Sequence, residues 1–105
     1  MLSPNKQKKL RDRISEKILL HYLNITESAL KEIIQVLPDS THLKKIADDF
    51  LQMATCYIED AKYFMKKGDF VNAFGAIYYA HAWLDAGARM GLWDVKHNSN
   101  LFTVE

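Results

Sequence analysis

The sequence predicts an all-α protein: a three-helix up-and-down bundle with a long first helix. Three observations predict it. Apolar residues recur every three or four positions from Leu10 to Met90, the period of helices with one buried face. Chain breakers are scarce, with 4 Gly and 2 Pro, which argues against a turn-rich β fold and against disorder. The 105 residues are 49% hydrophobic and 26% charged, the balance of one globular domain with one core.

The first helix is expected over about residues 5–36. Pro4 suits a first turn, where its missing N–H costs nothing. Leu10, Ile14, Ile18, Tyr22, Ile25, Ala29, Ile33 and Val36 form one stripe in unbroken phase, and Leu37-Pro38 ends it. The stripe runs through Asn24-Ile25-Thr26, so the weak helix formers there are read as a possible bend in one helix. Asp39, Ser40 and Thr41 are N-cap types for a second helix over about residues 40–67. Its apolar stripe runs from Leu43 to Met65, opposite a face of Lys44, Lys45, Asp48, Asp49, Gln52 and Glu59. Lys66-Lys67-Gly68 closes it with cations at the negative end of the helix dipole and a left-handed glycine.

Asp69 caps the third helix at once, which makes helices two and three antiparallel neighbours. That helix is expected over about residues 70–90, with Gly91 as its C-terminal glycine. Residues 1–93 form the expected domain, with Leu92 and Trp93 folded back on it. Residues 94–105 lack periodicity and are expected to be a flexible tail.

Helix three carries only Asp85 and Arg89 as formal charges between Phe70 and Trp93. Ala73, Ile77, Ala80, Leu84, Gly87, Ala88 and Gly91 make one face, and Gly75, Tyr79, Ala82 and Ala86 the opposite one. Both faces are apolar or small, where a surface helix shows one stripe. Two readings stay open: helix one covers the remainder, or a partner does. Tyr78, Tyr79, Trp83 and Arg89 are the expected partner contacts, because aromatics and arginine dominate interface energies.

Tyr57, Ala61, Phe64, Gly68, Ala73, Ile77 and Ala80 fall at the large and small positions of a tetratricopeptide-type helix hairpin. The pattern occurs once, so it describes hairpin packing and not a repeat array. Tyr57 to Phe64, Gly68 to Ala73, the run Tyr79-Ala80-His81-Ala82-Trp83-Leu84-Asp85-Ala86-Gly87, and Gly91-Leu92 together resemble the signature of a small archaeal, all-helical family of unknown function. The resemblance covers about residues 43–93 in its specific part. It implies a three-helix bundle and an archaeal cytoplasm, and supplies no activity.

The remaining residues narrow the chemistry. A lone cysteine, Cys56, excludes an intramolecular disulfide and a multi-cysteine zinc site, and is expected on or beside a helix core. His21, His42, His81 and His97 lack metal-ligand spacing, and no Gly-rich phosphate loop occurs. Arg89 and His97 are too far apart for the closely spaced Arg–His motif of minimal helical nucleases. His81, Asp85 and Arg89 are four apart, the spacing of a helix-surface ion-pair ladder. Asp60 and the His81–Asp85 pair are read as interhelical polar groups. No cofactor, metal or catalytic residue is assigned, and the protein is expected not to be an enzyme.

Lys6, Lys8, Lys9, Arg11, Arg13 and Lys17 outnumber Asp12 and Glu16 by four, leaving −3 on the other 88 residues. Lys6, Lys8, Lys9, Arg11 and Arg13 are candidate phosphate contacts. At a helix N-terminus they would oppose the dipole. No apolar run approaches a membrane span, and no apolar leader opens the sequence. The expectation is a cytoplasmic helical module that binds a protein partner or itself as a homodimer, with nucleic-acid binding through the basic first helix as the alternative.

Overall fold

In a computed structural model describing residues 9–103, three helices and one short β-ladder follow the chain. They are α1 (Glu16–Glu32), β1 (Ile34–Gln35), α2 (His42–Lys66), α3 (Phe70–Met90) and β2 (Trp93–Asp94). The expected starts of helix one and the ends of the tail, residues 1–8 and 104–105, lie outside the described residues, as do Lys6 and Lys8.

α1 is shorter than the sequence stripe suggested. Ser15, extended at φ −88°, caps it by accepting the Ile18 amide at 3.2 Å, and Glu16 sits favourably in the first turn. Lys9, Arg11 and Arg13 therefore precede the helix, and of the basic cluster only Lys17 lies within its first turn. The helix runs unbroken through Asn24-Ile25-Thr26 and stops after Glu32. Ile33, Ile34 and Val36 continue the apolar phase, but β-branched residues also suit a strand. Pairing decides: Ile34 and Gln35 lie antiparallel to Asp94 and Trp93.

α2 begins where Thr41 accepts the Lys44 amide at 3.2 Å, while its hydroxyl donates to the Pro38 carbonyl at 2.8 Å. Gly68 (φ +77°) ends it and Asp69 caps α3 through the Asn72 amide at 3.1 Å, so the hairpin turn is as short as expected. Gly91 (φ +74°) closes α3 in the left-handed region.

α2 and α3 pack as a close hairpin along their lengths, and α1 lies mainly against α3. The small hairpin positions Ala61, Ala73 and Ala80 are wholly buried, with Ile58 and Ile77 between them. Leu19 and Leu23 of α1 complete this half of the core. Lys62 ties α2 to α1 through Glu27 at 3.0 Å, and that hydrogen bond holds the Lys62 ammonium above its ordinary pKa. Cys56 is exposed, not beside the core.

The second half of the core is completed by the chain after α3: by Leu92 and Trp93, which fold back as expected, and by Val95 and Phe102 of the segment expected to be a flexible tail. Leu92, Trp93, Val95 and Phe102 pack with Ala29, Ala47, Ala54 and Leu84. Trp93 donates its indole N–H to the Leu84 carbonyl at 3.3 Å and lies over Gly87, where any Cβ would overlap its ring. An isolated turn around Lys96 and His97, both at φ +55°, folds the chain back so that Phe102 reaches the core. Residues 95–102 thus belong to the packed body, because two large apolar side chains more than offset the missing periodicity.

Candidate functional site

The four expected contact residues on α3 separate into three places. Tyr78 faces α1. It packs against Phe74 at 4.6 Å between ring centroids and against Tyr22 at 5.6 Å, and Tyr22 meets Phe74 edge to face at 5.8 Å. Tyr79 and Trp83 face α2. Tyr79 stands edge-on to Tyr57 at 4.5 Å, and Trp83 edge-on to Phe50 at 4.9 Å. Arg89 lies at the C-terminal end, where it donates to the Thr103 carbonyl at 3.2 Å.

Tyr78 and Tyr79 remain 51% and 47% exposed, on the same open side of α3 as the exposed Gly75 and Ala82. Trp83 is half-buried, and its indole N–H is buried with no partner among the described residues. Such an orphaned donor is costly.

The Tyr22–Phe74–Tyr78 cluster forms one wall of a cleft of about 390 Å³. Ile14, Ile18 and Val71 supply aliphatic lining, and Arg11, Asp12 and Arg13 line it as well. A smaller apolar hollow of about 190 Å³ shares Tyr22 and Tyr78 and continues towards Ile25, Ile77 and His81. Burial and a hydrogen bond to Tyr22 hold the Tyr78 phenol above its ordinary pKa, against the opposing pull of Arg11. The sequence separated the arginines from any aromatic residue. Folding brings them together because α1 and the segment before it run beside α3.

His81, Asp85 and Arg89 do not form the expected ion-pair ladder. All three face the C-terminal segment. The His81 ring contacts the Thr26 hydroxyl at 3.1 Å through Nδ1 and the Leu101 carbonyl at 2.7 Å through Nε2. The second contact makes Nε2 a donor. Asp85 accepts both the Thr103 amide at 2.8 Å and the Thr103 hydroxyl at 2.9 Å. Thr26, the buried polar residue of α1, has its partner in His81. Sequence reasoning missed Thr103 and Leu101, since no periodicity links them to α3.

Asp60 was expected between helices. It is instead exposed beside a shallow hollow with Tyr57, Gly75 and Tyr79, and makes no hydrogen bond or ion pair among the described residues. Lys9, Arg11 and Arg13 are all exposed. Among the described residues no group of three or more His, Cys, Asp or Glu side chains is placed to hold a metal ion, and no helix is long and apolar enough to cross a membrane.

No curated protein and no solved structure matches this chain. A family model does, over residues 21–93. That span holds Tyr22, Phe74, Tyr78, Tyr79 and Trp83, and omits both Arg11 and Arg13 and the segment that carries Leu101 and Thr103. On this match the chain belongs to the family described as protein of unknown function DUF357.

Proposed function

We propose that the protein is a non-enzymatic interaction module that docks a protein partner, or a second copy, on the half-exposed rings of α3. The observation that carries this reading is the pair Tyr78 and Tyr79. Two adjacent tyrosines stay about half exposed, one beside α1 and one beside α2, on the face of α3 that the bundle leaves open. Large rings held rigid by neighbours lose little entropy on binding and bury much area, which is why they anchor interfaces. Val71 (82% exposed) extends the same apolar surface towards the N-terminal end of α3. The histidine and aspartate best spaced for acid–base work are already engaged in holding residues 101–103, which favours a structural role for them.

The test is light scattering across a concentration series, together with affinity purification from the source cells with and without nuclease. A dimer weakened by Tyr79→Glu, or a stoichiometric protein partner retained after nuclease, is expected. A clean monomer that keeps no protein partner contradicts the proposal.

A second reading is nucleic-acid binding by Lys9, Arg11 and Arg13, since Arg11 and Arg13 border three aromatic rings. Two features favour protein. Two of the three ring pairs meet edge to face and the third is tilted at 41°, which leaves less open ring face for base stacking. Aliphatic Ile14, Ile18 and Val71 line the cleft, and they suit side chains better than bases. The nucleic-acid reading predicts binding that weakens steeply with salt and is lost on charge reversal of Lys9 and Arg11.

A further inference from the structure

We infer that the groove between α1 and α3 receives an acidic amphipathic helix of a partner protein; this rests on the interaction-module reading and names the partner's chemistry. The groove consists of two hollows, of about 390 and 190 Å³, that share Tyr22 and Tyr78 in their linings. Along α3 it spans Val71 to His81, ten steps along the helix, or about 15 Å at 1.5 Å per residue. A helix placing apolar side chains at i, i+3 or i+4, and i+7 covers about 10 Å between its outer anchors. Two adjoining apolar hollows along 15 Å match that spacing.

Charge selects the occupant. The larger hollow is lined by Arg11 and Arg13 with one acid, Asp12, between them in sequence, and Lys9 and Lys17 are exposed nearby in sequence. Against these stand Asp12 and Glu16, so residues 9–17 carry four cations and two acids. A partner helix with carboxylates flanking its apolar stripe would meet this positive rim, whereas a lysine-flanked helix would be repelled. A second copy is the weaker occupant. Among the described residues, the apolar stripes of α1, α2 and α3 are already spent on the bundle core, so another copy has no free amphipathic helix to insert.

The test is selection of 14-residue peptides from a random, helix-biased display library against the full chain, followed by fluorescence anisotropy with the enriched peptides. Enrichment of sequences with apolar residues at i, i+3 or i+4, and i+7 and a net negative charge is expected. Their binding should weaken about tenfold with Val71→Glu, and about tenfold with Arg11→Glu plus Arg13→Glu, while Tyr63→Glu, at an exposed ring of α2 outside the groove, leaves it unchanged. All of these positions are exposed, and thermal melts confirm that each variant folds. No enrichment, or enrichment of neutral or basic peptides, overturns the inference. Binding lost with Tyr79→Glu and kept with Val71→Glu also overturns it, yet leaves the interaction module standing on the α2 side. A labelled single-stranded oligonucleotide that binds where no peptide does overturns both.

Discussion

Replacing Gly87 with alanine should destabilise the protein, although alanine is the better helix former. In an unobstructed helix interior the change stabilises by about 1 kcal/mol. At Gly87 the new Cβ would overlap the Trp93 indole, whose Cε2 and Cη2 atoms would lie 2.5 Å away. The ring cannot simply swing aside. It is 2% exposed, donates to the Leu84 carbonyl, and belongs to a residue paired with Gln35. Overpacking of a filled core costs about 3 kcal/mol at the upper end of its usual range. The net loss is about 2 kcal/mol, or a Tm about 8 °C lower for a chain of this size. Urea unfolding followed by circular dichroism measures it. Gly75→Ala is the internal control: nothing lies within 4 Å of its added Cβ, so it should gain about 1 kcal/mol. In a Trp93→Ala background, Gly87→Ala should lose its penalty, giving a coupling energy of about 3 kcal/mol. A Gly87→Ala protein as stable as the parent refutes the placement of Trp93.

Other consequences follow from the same packing. Phe102→Ala should cost about 3 kcal/mol in urea unfolding, because the ring is 3% exposed among core residues; a cost near zero would return residues 95–102 to the status of a tail. Asp85→Ala removes both acceptors of Thr103, so hydrogen exchange at the Thr103 amide should quicken about tenfold, and unchanged protection contradicts that anchor. Glu27→Gln should cost about 0.5 kcal/mol, since the pair with Lys62 is largely exposed. The Lys62 pKa is raised on folding, so this contribution is complete below 10.5 and fades as pH rises through the higher folded value. The difference between parent and Glu27→Gln should therefore shrink at high pH and in high salt; a constant gap would assign it to something other than the ion pair.

The elements most legible in the sequence were those bounded by local chemistry. Gly68-Asp69 and Gly91 mark their helix ends through backbone conformation and capping, and both need only neighbouring residues. α1 was harder. Its stripe keeps phase beyond both ends, and what stops it is a cap at Ser15 and a strand partner some sixty residues away. Periodicity registers neither. The C-terminal segment was misjudged for a related reason: Val95 and Phe102 are buried singly, from an irregular turn, and leave no repeat to detect. Gly87 was legible only as part of a small face of helix three; what covers it, a tryptophan of the same chain, was not.

The candidate surface was legible residue by residue and not as an arrangement. Tyr78 and Tyr79 were singled out as contacts, and both are about half exposed. Neighbours on a helix point about 100° apart, and here the two go to different partners, Tyr78 against α1 and Tyr79 against α2, which sequence alone does not assign. The cleft joins Arg11 and Arg13 to Phe74 and Tyr78 across some sixty residues, a juxtaposition only the fold supplies.

Docking through the exposed rings of α3 is tested most directly by crosslinking at those rings in the source cells. A photoreactive phenylalanine analogue is placed at Tyr78, at Tyr79 and, as a control, at the exposed Lys45 of α2, and the adducts are identified by mass spectrometry after nuclease treatment. The account predicts a specific protein adduct at Tyr78 or Tyr79 and none at Lys45. Absence of any protein adduct at both rings, or equal capture at Lys45, would contradict it.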